Sequence, residues 1–111
     1  MKRDYKLFIN DIRESVTQIE KYLKEISEEQ FMKNNMLQDA VIRRFEIMGE
    51  ASKNIPPALK EKNEQIPWNS LSQFRDLVAH SYYEFSLNRI WKSYKEDLPK
   101  IKEGLKNIKL V

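Results

Sequence analysis

The stretch Phe8-Ile9-Asn10-Asp11-Ile12-Arg13-Glu14-Ser15-Val16-Thr17-Gln18-Ile19-Glu20-Lys21-Tyr22-Leu23-Lys24-Glu25-Ile26 sets the class of the fold. Its apolar residues Phe8, Ile12, Val16, Ile19, Leu23 and Ile26 step by three or four, with charged side chains between them, which is the stripe of an amphipathic helix. The spacing predicts a first helix from about Asp4 to Glu29. A break follows over Phe31-Met32-Lys33-Asn34-Asn35, where either asparagine can cap what comes next.

A second helix is predicted from about Met36 to Asn54, on the stripe Leu37, Val41, Phe45, Met48, Ala51 and Ile55. Gly49 falls inside it, where glycine costs about 1 kcal/mol against alanine, so close approach of another backbone is the expected compensation. Glu46 and Glu50 share one side of this helix. They can be a carboxylate pair for acid–base or metal chemistry, or salt partners of Arg75 or Arg43, and the salt-partner reading is preferred because no histidine or acidic cluster lies near in sequence. Pro56-Pro57 stops the helix.

A short turn of helix is expected from Ala58 to Asn63, then a connector at Gln65-Ile66-Pro67. A helix opens near Trp68, capped by Asn69 or Ser70, with Leu71, Phe74, Leu77 and Val78 as its buried face. Trp68 is expected to be a hydrophobic anchor rather than a platform for a base. Ser81-Tyr82-Tyr83-Glu84-Phe85 loses the period and is predicted as an irregular turn. A further helix carries Leu87, Ile90, Trp91, Tyr94 and Leu98, capped by Ser86 or Asn88. Pro99 suits the first turn of a last helix bearing Ile101, Leu105, Ile108 and Leu110. No stretch alternates with a period of two, so the expected fold is all-α, an up-and-down bundle of four to five helices in a single domain over residues 1–111.

Composition narrows the chemistry. The 111 residues include no cysteine, which excludes disulfide frameworks and thiolate metal sites and fits a reducing cytoplasm. No apolar run approaches the ~20 residues of a membrane span, and no signal-type segment opens the chain, so a soluble cytoplasmic protein without membrane contact is expected. With only Gly49 and Gly104, a glycine-rich phosphate loop is absent, and a lone histidine makes zinc catalysis of the usual kinds a poor fit. The net charge is +3. Residues 88–111 hold seven Lys/Arg against three acids, a surplus of four, so the rest of the chain sums to −1. That basic third either guides a polyanion or is an ordinary solvated face, and the solvated face is the commoner case.

The one histidine, His80, lies in Arg75-Asp76-Leu77-Val78-Ala79-His80-Ser81-Tyr82-Tyr83. A titrating imidazole, a permanent guanidinium and a phenol make a compact set for phosphate chemistry. In an unbroken helix five residues separate Arg75 and His80 by about 140°, so they share a face only if the helix ends near His80. By spacing alone, a helix-end histidine and a structurally paired arginine are an equally good account. Ser81 beside His80 does not make a serine triad, since adjacent side chains do not converge.

Arg-x4-His-x-Tyr, here Arg75, His80 and Tyr82, resembles the signature of the HEPN superfamily, in the form found in HepT-like toxins. Ile42-Arg43-Arg44-Phe45-Glu46-Ile47-Met48-Gly49-Glu50-Ala51 resembles that family's second helix, Ile66-Pro67-Trp68 the approach to its motif helix, and Ile90-Trp91 with Asp97-Leu98-Pro99 the segment after it. The likeness covers roughly residues 5 to 100. It implies a metal-independent endoribonuclease toxin, with His80 as general acid or base and Arg75 stabilising the scissile phosphate. Its paired motifs would meet in a homodimer, a stoichiometry that a single histidine per chain also favours. It implies a nucleotidyltransferase antitoxin as partner, able to transfer AMP from ATP to Tyr82. No other cofactor is implied, with Asp76, Ser81 and Tyr83 lining the site. Family members often carry Asn after the motif arginine, where this chain has Asp76. That carboxylate accepts but does not donate, and repels RNA phosphate unless paired, for instance by Arg75. The alternatives are a non-catalytic helical module that binds a nucleotidyltransferase or nucleotide, and a purely structural dimerisation bundle.

Overall fold

The computed structural model describes residues 4–79 and 84–108, and the side chains of these apart from 76–79, 84 and 85. Six helices run α1 (Tyr5–Leu23), α2 (Glu28–Met32), α3 (Asn35–Lys53), α4 (Pro57–Lys62), α5 (Trp68–Ala79) and α6 (Glu84–Leu105), with no strand among the described residues. The all-α bundle expected from periodicity is what forms. Four helices are long and two are single short turns. The dominant packings are α1 on α3 and α3 on α5, and α6 lies across α1, α2 and α5.

The predicted first helix divides in two. Asp4 caps α1 by accepting from the Lys6 N–H at 2.9 Å, and Ile9, Ile12, Val16, Ile19 and Leu23 form its buried stripe, with Phe8 at the edge of the core. Past Leu23 the chain leaves the helix, and Glu25 takes a positive φ of 60°. The reason is the start signal just beyond it. Ser27 Oγ accepts from the Gln30 N–H at 3.1 Å while Gln30 Oε1 accepts from the Ser27 N–H at 2.8 Å, a reciprocal capping box that begins α2 anew. The change of direction delivers Phe31 to the core, its ring 5.5 Å from that of Trp91.

Asn34 caps α3 through the Leu37 N–H at 3.0 Å, one of the two asparagines expected there. Gln38 Nε2 donates to the carbonyls of Phe31 and Met32, which ties the end of α2 to α3. Pro57 occupies the first turn of α4. The start of α5 differs from the cap expected: the helix already includes Trp68, the Leu71 N–H donates to the Pro67 carbonyl at 3.1 Å, and the Ser70 hydroxyl instead reaches Asp97 of α6 at 3.4 Å. Trp68 is the anchor it was expected to be, half-buried, with its indole N–H on the Asn63 carbonyl at 3.0 Å.

The largest correction concerns the C-terminal region. Glu84 and Phe85 are helical rather than part of a turn, Ser86 and Asn88 lie inside the helix rather than at its cap, and Pro99 sits within α6 instead of opening another helix. A proline there removes one backbone hydrogen bond and crowds the preceding turn, at a cost of about 3 kcal/mol. Against this, Leu87, Ile90, Trp91, Leu98, Ile101 and Leu105 are all buried on one continuous stripe, each contributing about 1.5–3 kcal/mol. Breaking the helix at Pro99 would forfeit that registration, so packing overrides the local preference. Arg13 closes the far end by donating from Nη2 to the carbonyls of Leu105 and Ile108 at 2.8 and 2.7 Å.

Gly104 has a tertiary role. A Cβ at this position would lie 2.2 Å from Cγ1 of Ile66, itself 1% exposed in the connector that leads into α5. Gly104→Ala is therefore expected to destabilise, although alanine is the better helix former, by about 1–3 kcal/mol of overpacking. Measured by urea denaturation, Gly104→Ala with Ile66→Ala should cost less than the sum of the two single changes, because removing Ile66 Cγ1 relieves the clash. Ser15 offers a change of opposite sign. Its hydroxyl is buried on α1 with no partner among the described residues, so Ser15→Ala should stabilise by about 1 kcal/mol in the same assay.

Candidate functional site

The helix that carries Arg75 is fixed in place by α3. Phe45 and Phe74 meet edge to face with centroids 4.5 Å apart, both essentially inaccessible to solvent. One turn further along α3 the two backbones again run close together. A Cβ placed on Gly49 would stand 3.2 Å from the backbone nitrogen of Arg75 and 3.4 Å from the Leu71 carbonyl oxygen. The absence of a side chain at residue 49 is thus what lets α5 lie against α3 at the level of Arg75, the close approach its sequence position implied.

The next residue completes the junction. Glu50 Oε1 lies 3.1 Å from Arg75 Nε, with the two side chains 51% and 55% exposed. Glu46, four residues earlier, pairs with Arg43. Both acids on this side of α3 are therefore salt partners of the two arginines expected for them, rather than a catalytic carboxylate pair. No group of three or more His, Cys, Asp or Glu able to hold a metal occurs among the described residues.

At such exposure an ion pair contributes only about 0–1 kcal/mol, so its consequence is geometric. Arginine presents five N–H donors in a planar fork. Glu50 takes the Nε side, and the Nη side is the edge suited to a bidentate oxyanion such as a phosphodiester. Of the residues named for the site, Arg75 is thus placed on an exposed face, with its backbone fixed and one side of its guanidinium held. His80, Ser81, Tyr82 and Tyr83 lie outside the described residues, as does the side chain of Asp76. The sequence offers Glu50 as a salt partner or as half of a carboxylate pair with Glu46, not as a neighbour of the motif arginine at the site. The adjacent Gly49, which marks the helix contact, is the signal that could have placed it at the site.

The basic C-terminal third is locally balanced where it meets α1. Lys102 pairs with Glu20 at 3.0 Å and Lys106 with Glu103 at 3.2 Å, while Lys95 lies over the rings of Trp91 and Tyr94. Tyr94 lines an open cleft together with Glu20, Lys24, Lys95 and Lys102. Burial, and secondarily the charge of Glu20, raise its phenol above the usual tyrosine range, so it stays a neutral donor. This cleft belongs to α1, α6 and their flanks, and none of its lining residues comes from α3 or α5.

Comparison with known proteins agrees with the likeness seen in the motifs. The family described as "Ribonuclease HepT-like" matches residues 12–108. A Thermococcus cleftensis protein named "Probable ribonuclease HepT" is 42% identical over 102 residues, covering 92% of this chain and 93% of that one. A Methanocaldococcus jannaschii protein named "Gamma-glutamylcyclotransferase and putative RNase" is 43% identical over 108 residues, 97% of this chain but 49% of the relative, so the chain spans about half of that protein. A second protein of that organism, named "Putative RNase", is 40% identical over 102 residues, 92% of this chain and 94% of its own length. No solved structure gives a significant match. The match contains α3, α5 and the whole Arg-x4-His-x-Tyr motif, and the chain belongs to the HepT-like ribonuclease family.

Proposed function

We propose that this chain is the metal-independent endoribonuclease toxin of a toxin–antitoxin pair, a single HEPN-like domain over residues 1–111 acting as a homodimer in the cytoplasm. The observation that carries the reading is Arg75, exposed on a firmly packed helix five residues before the only histidine, in a chain of the HepT-like family. In the reaction, a base takes the proton of the 2′-hydroxyl, its oxygen attacks phosphorus, and the P–O5′ bond breaks as an acid protonates the leaving oxygen. The products are a 2′,3′-cyclic phosphate and a 5′-hydroxyl. His80 suits either proton role, because an imidazole's ordinary pKa near about 6.5 makes both forms available at neutral pH. Arg75 neutralises the charge that builds on the pentacovalent phosphorane. With one histidine per chain, a two-fold dimer supplies the second proton carrier.

Silencing is assigned to a nucleotidyltransferase antitoxin that transfers AMP from ATP to the Tyr82 hydroxyl. An adenylate two residues from His80 adds negative charge and bulk where a phosphodiester must enter. Asp76, in the place of the family's usual amide, favours a second reading, a non-catalytic module that holds the nucleotidyltransferase without turning over RNA.

Purified protein with RNA and EDTA separates the two. The first reading expects cleavage to fall by about 100-fold or more in Arg75→Ala and in His80→Ala, in line with loss of a charge-stabilising or proton-transferring group. Thermal unfolding of Arg75→Ala should stay close to wild type, since an exposed pair contributes about 1 kcal/mol at most. Wild-type turnover no faster than that of His80→Ala would favour the binding module. Incubation with ATP and the nucleotidyltransferase should add the mass of AMP to wild type and abolish cleavage, while Tyr82→Phe stays active and unmodified.

A further inference from the structure

We infer that Glu50 is a positioning residue for RNA cleavage, holding the Arg75 guanidinium by its Nε so that the Nη edge is presented to the scissile phosphate. This rests on the cleavage reading above and adds to it a residue outside the Arg-x4-His-x-Tyr motif.

Three observations combine. The contact is made through Nε, at 3.1 Å, so the carboxylate occupies the side of the fork that a phosphate does not need. Glu50 also follows Gly49, where a Cβ would stand 3.2 Å from Arg75 N, tighter than an ordinary contact. Both ends of the pair therefore hang from one rigid backbone junction, and the carboxylate cannot drift relative to the Cα of Arg75 as it would across a loose interface. Finally, both side chains are about half exposed, so the pair adds little to stability and the site is open to a large polyanion.

An anion beside a phosphate-binding cation is a liability in the ground state, because it cancels charge that would attract RNA. It is an advantage only if orientation matters more than attraction, as it does when a transition state must be met by a donor fixed in direction. The two contributions separate in kinetics. Removing Glu50 restores the full positive charge of Arg75 and frees its four side-chain torsions, so RNA binding is kept or tightened while turnover falls.

Wild type, Glu50→Ala and Glu50→Gln are compared on a short RNA at saturating and limiting concentrations in EDTA. Glu50→Ala should lower kcat by about tenfold with KM unchanged or reduced, the pattern of a lost orientational constraint. Glu50→Gln, which keeps the shape of the side chain and an oxygen beside Nε, should recover most of that loss. Near-ultraviolet circular dichroism of both variants should match wild type. If Glu50→Ala turns over like wild type, the positioning role is wrong while the nuclease reading stands. If Glu50→Gln is as impaired as Glu50→Ala, the carboxylate acts by charge or proton transfer and the inference is overturned. Loss in KM alone would make Glu50 a binding group and overturn it too. Absence of cleavage by wild type sinks the nuclease reading and this inference with it.

Discussion

The contact between α3 and α5 is the constraint on which the rest depends. Two helices approach to backbone contact only where one of them lacks a side chain, and here that residue is Gly49, opposite Arg75. The rings of Phe45 and Phe74 fix the same pair of helices one turn away. With two contacts along the axis, α5 can neither slide nor roll without losing aromatic packing or driving backbone into backbone. The backbone of Arg75 shares that rigidity, although its side chain is more than half exposed.

The remaining helices hold this pair in place. α1 also packs on α3, and α6 reaches across α1, α2 and α5 in a single span. The interruption at Pro99 is tolerated because the buried stripe on α6 continues through it, and Arg13 secures the helix end through two carbonyls. Gly104 near that end makes room for Ile66, which sets where the connector enters α5. The two glycines of the chain thus serve the same purpose from opposite directions: one brings α3 to the motif helix, the other seats the segment that begins it.

The helix content was legible in the sequence because burial and the helical period coincide along α1, α3 and α6. The boundaries that were misread are those where a local preference and tertiary packing disagree. At Pro99 the proline argued for a new helix, and the apolar stripe across it outweighed that preference. At Ser27 the error ran the other way: Ser27-Glu28-Glu29-Gln30 is a capping box in plain view, but Ile26 extends the periodicity of α1 far enough to hide it. For the site, the pairing of Glu50 with Arg75 was among the partners periodicity allowed, since Glu50 lies on one side of α3 and Arg75 on α5. What no period could supply is which atom of the guanidinium is engaged, because that depends on the separation of two backbones set by a glycine.

Charge bears on how RNA would find such a site. Glu50 offsets the charge of Arg75, and Lys102 is engaged by Glu20 from outside the segment, so the surplus of four in residues 88–111, which already sets Glu103 against Lys106, overstates the field these side chains exert. At an ionic strength near 0.15 M, fields decay over about 8 Å, which leaves attraction of a polyanion to cations close to the motif. A two-fold dimer would double whatever positive potential each motif helix presents without adding a residue. Pairing subunits would therefore concentrate charge as well as supply a second histidine.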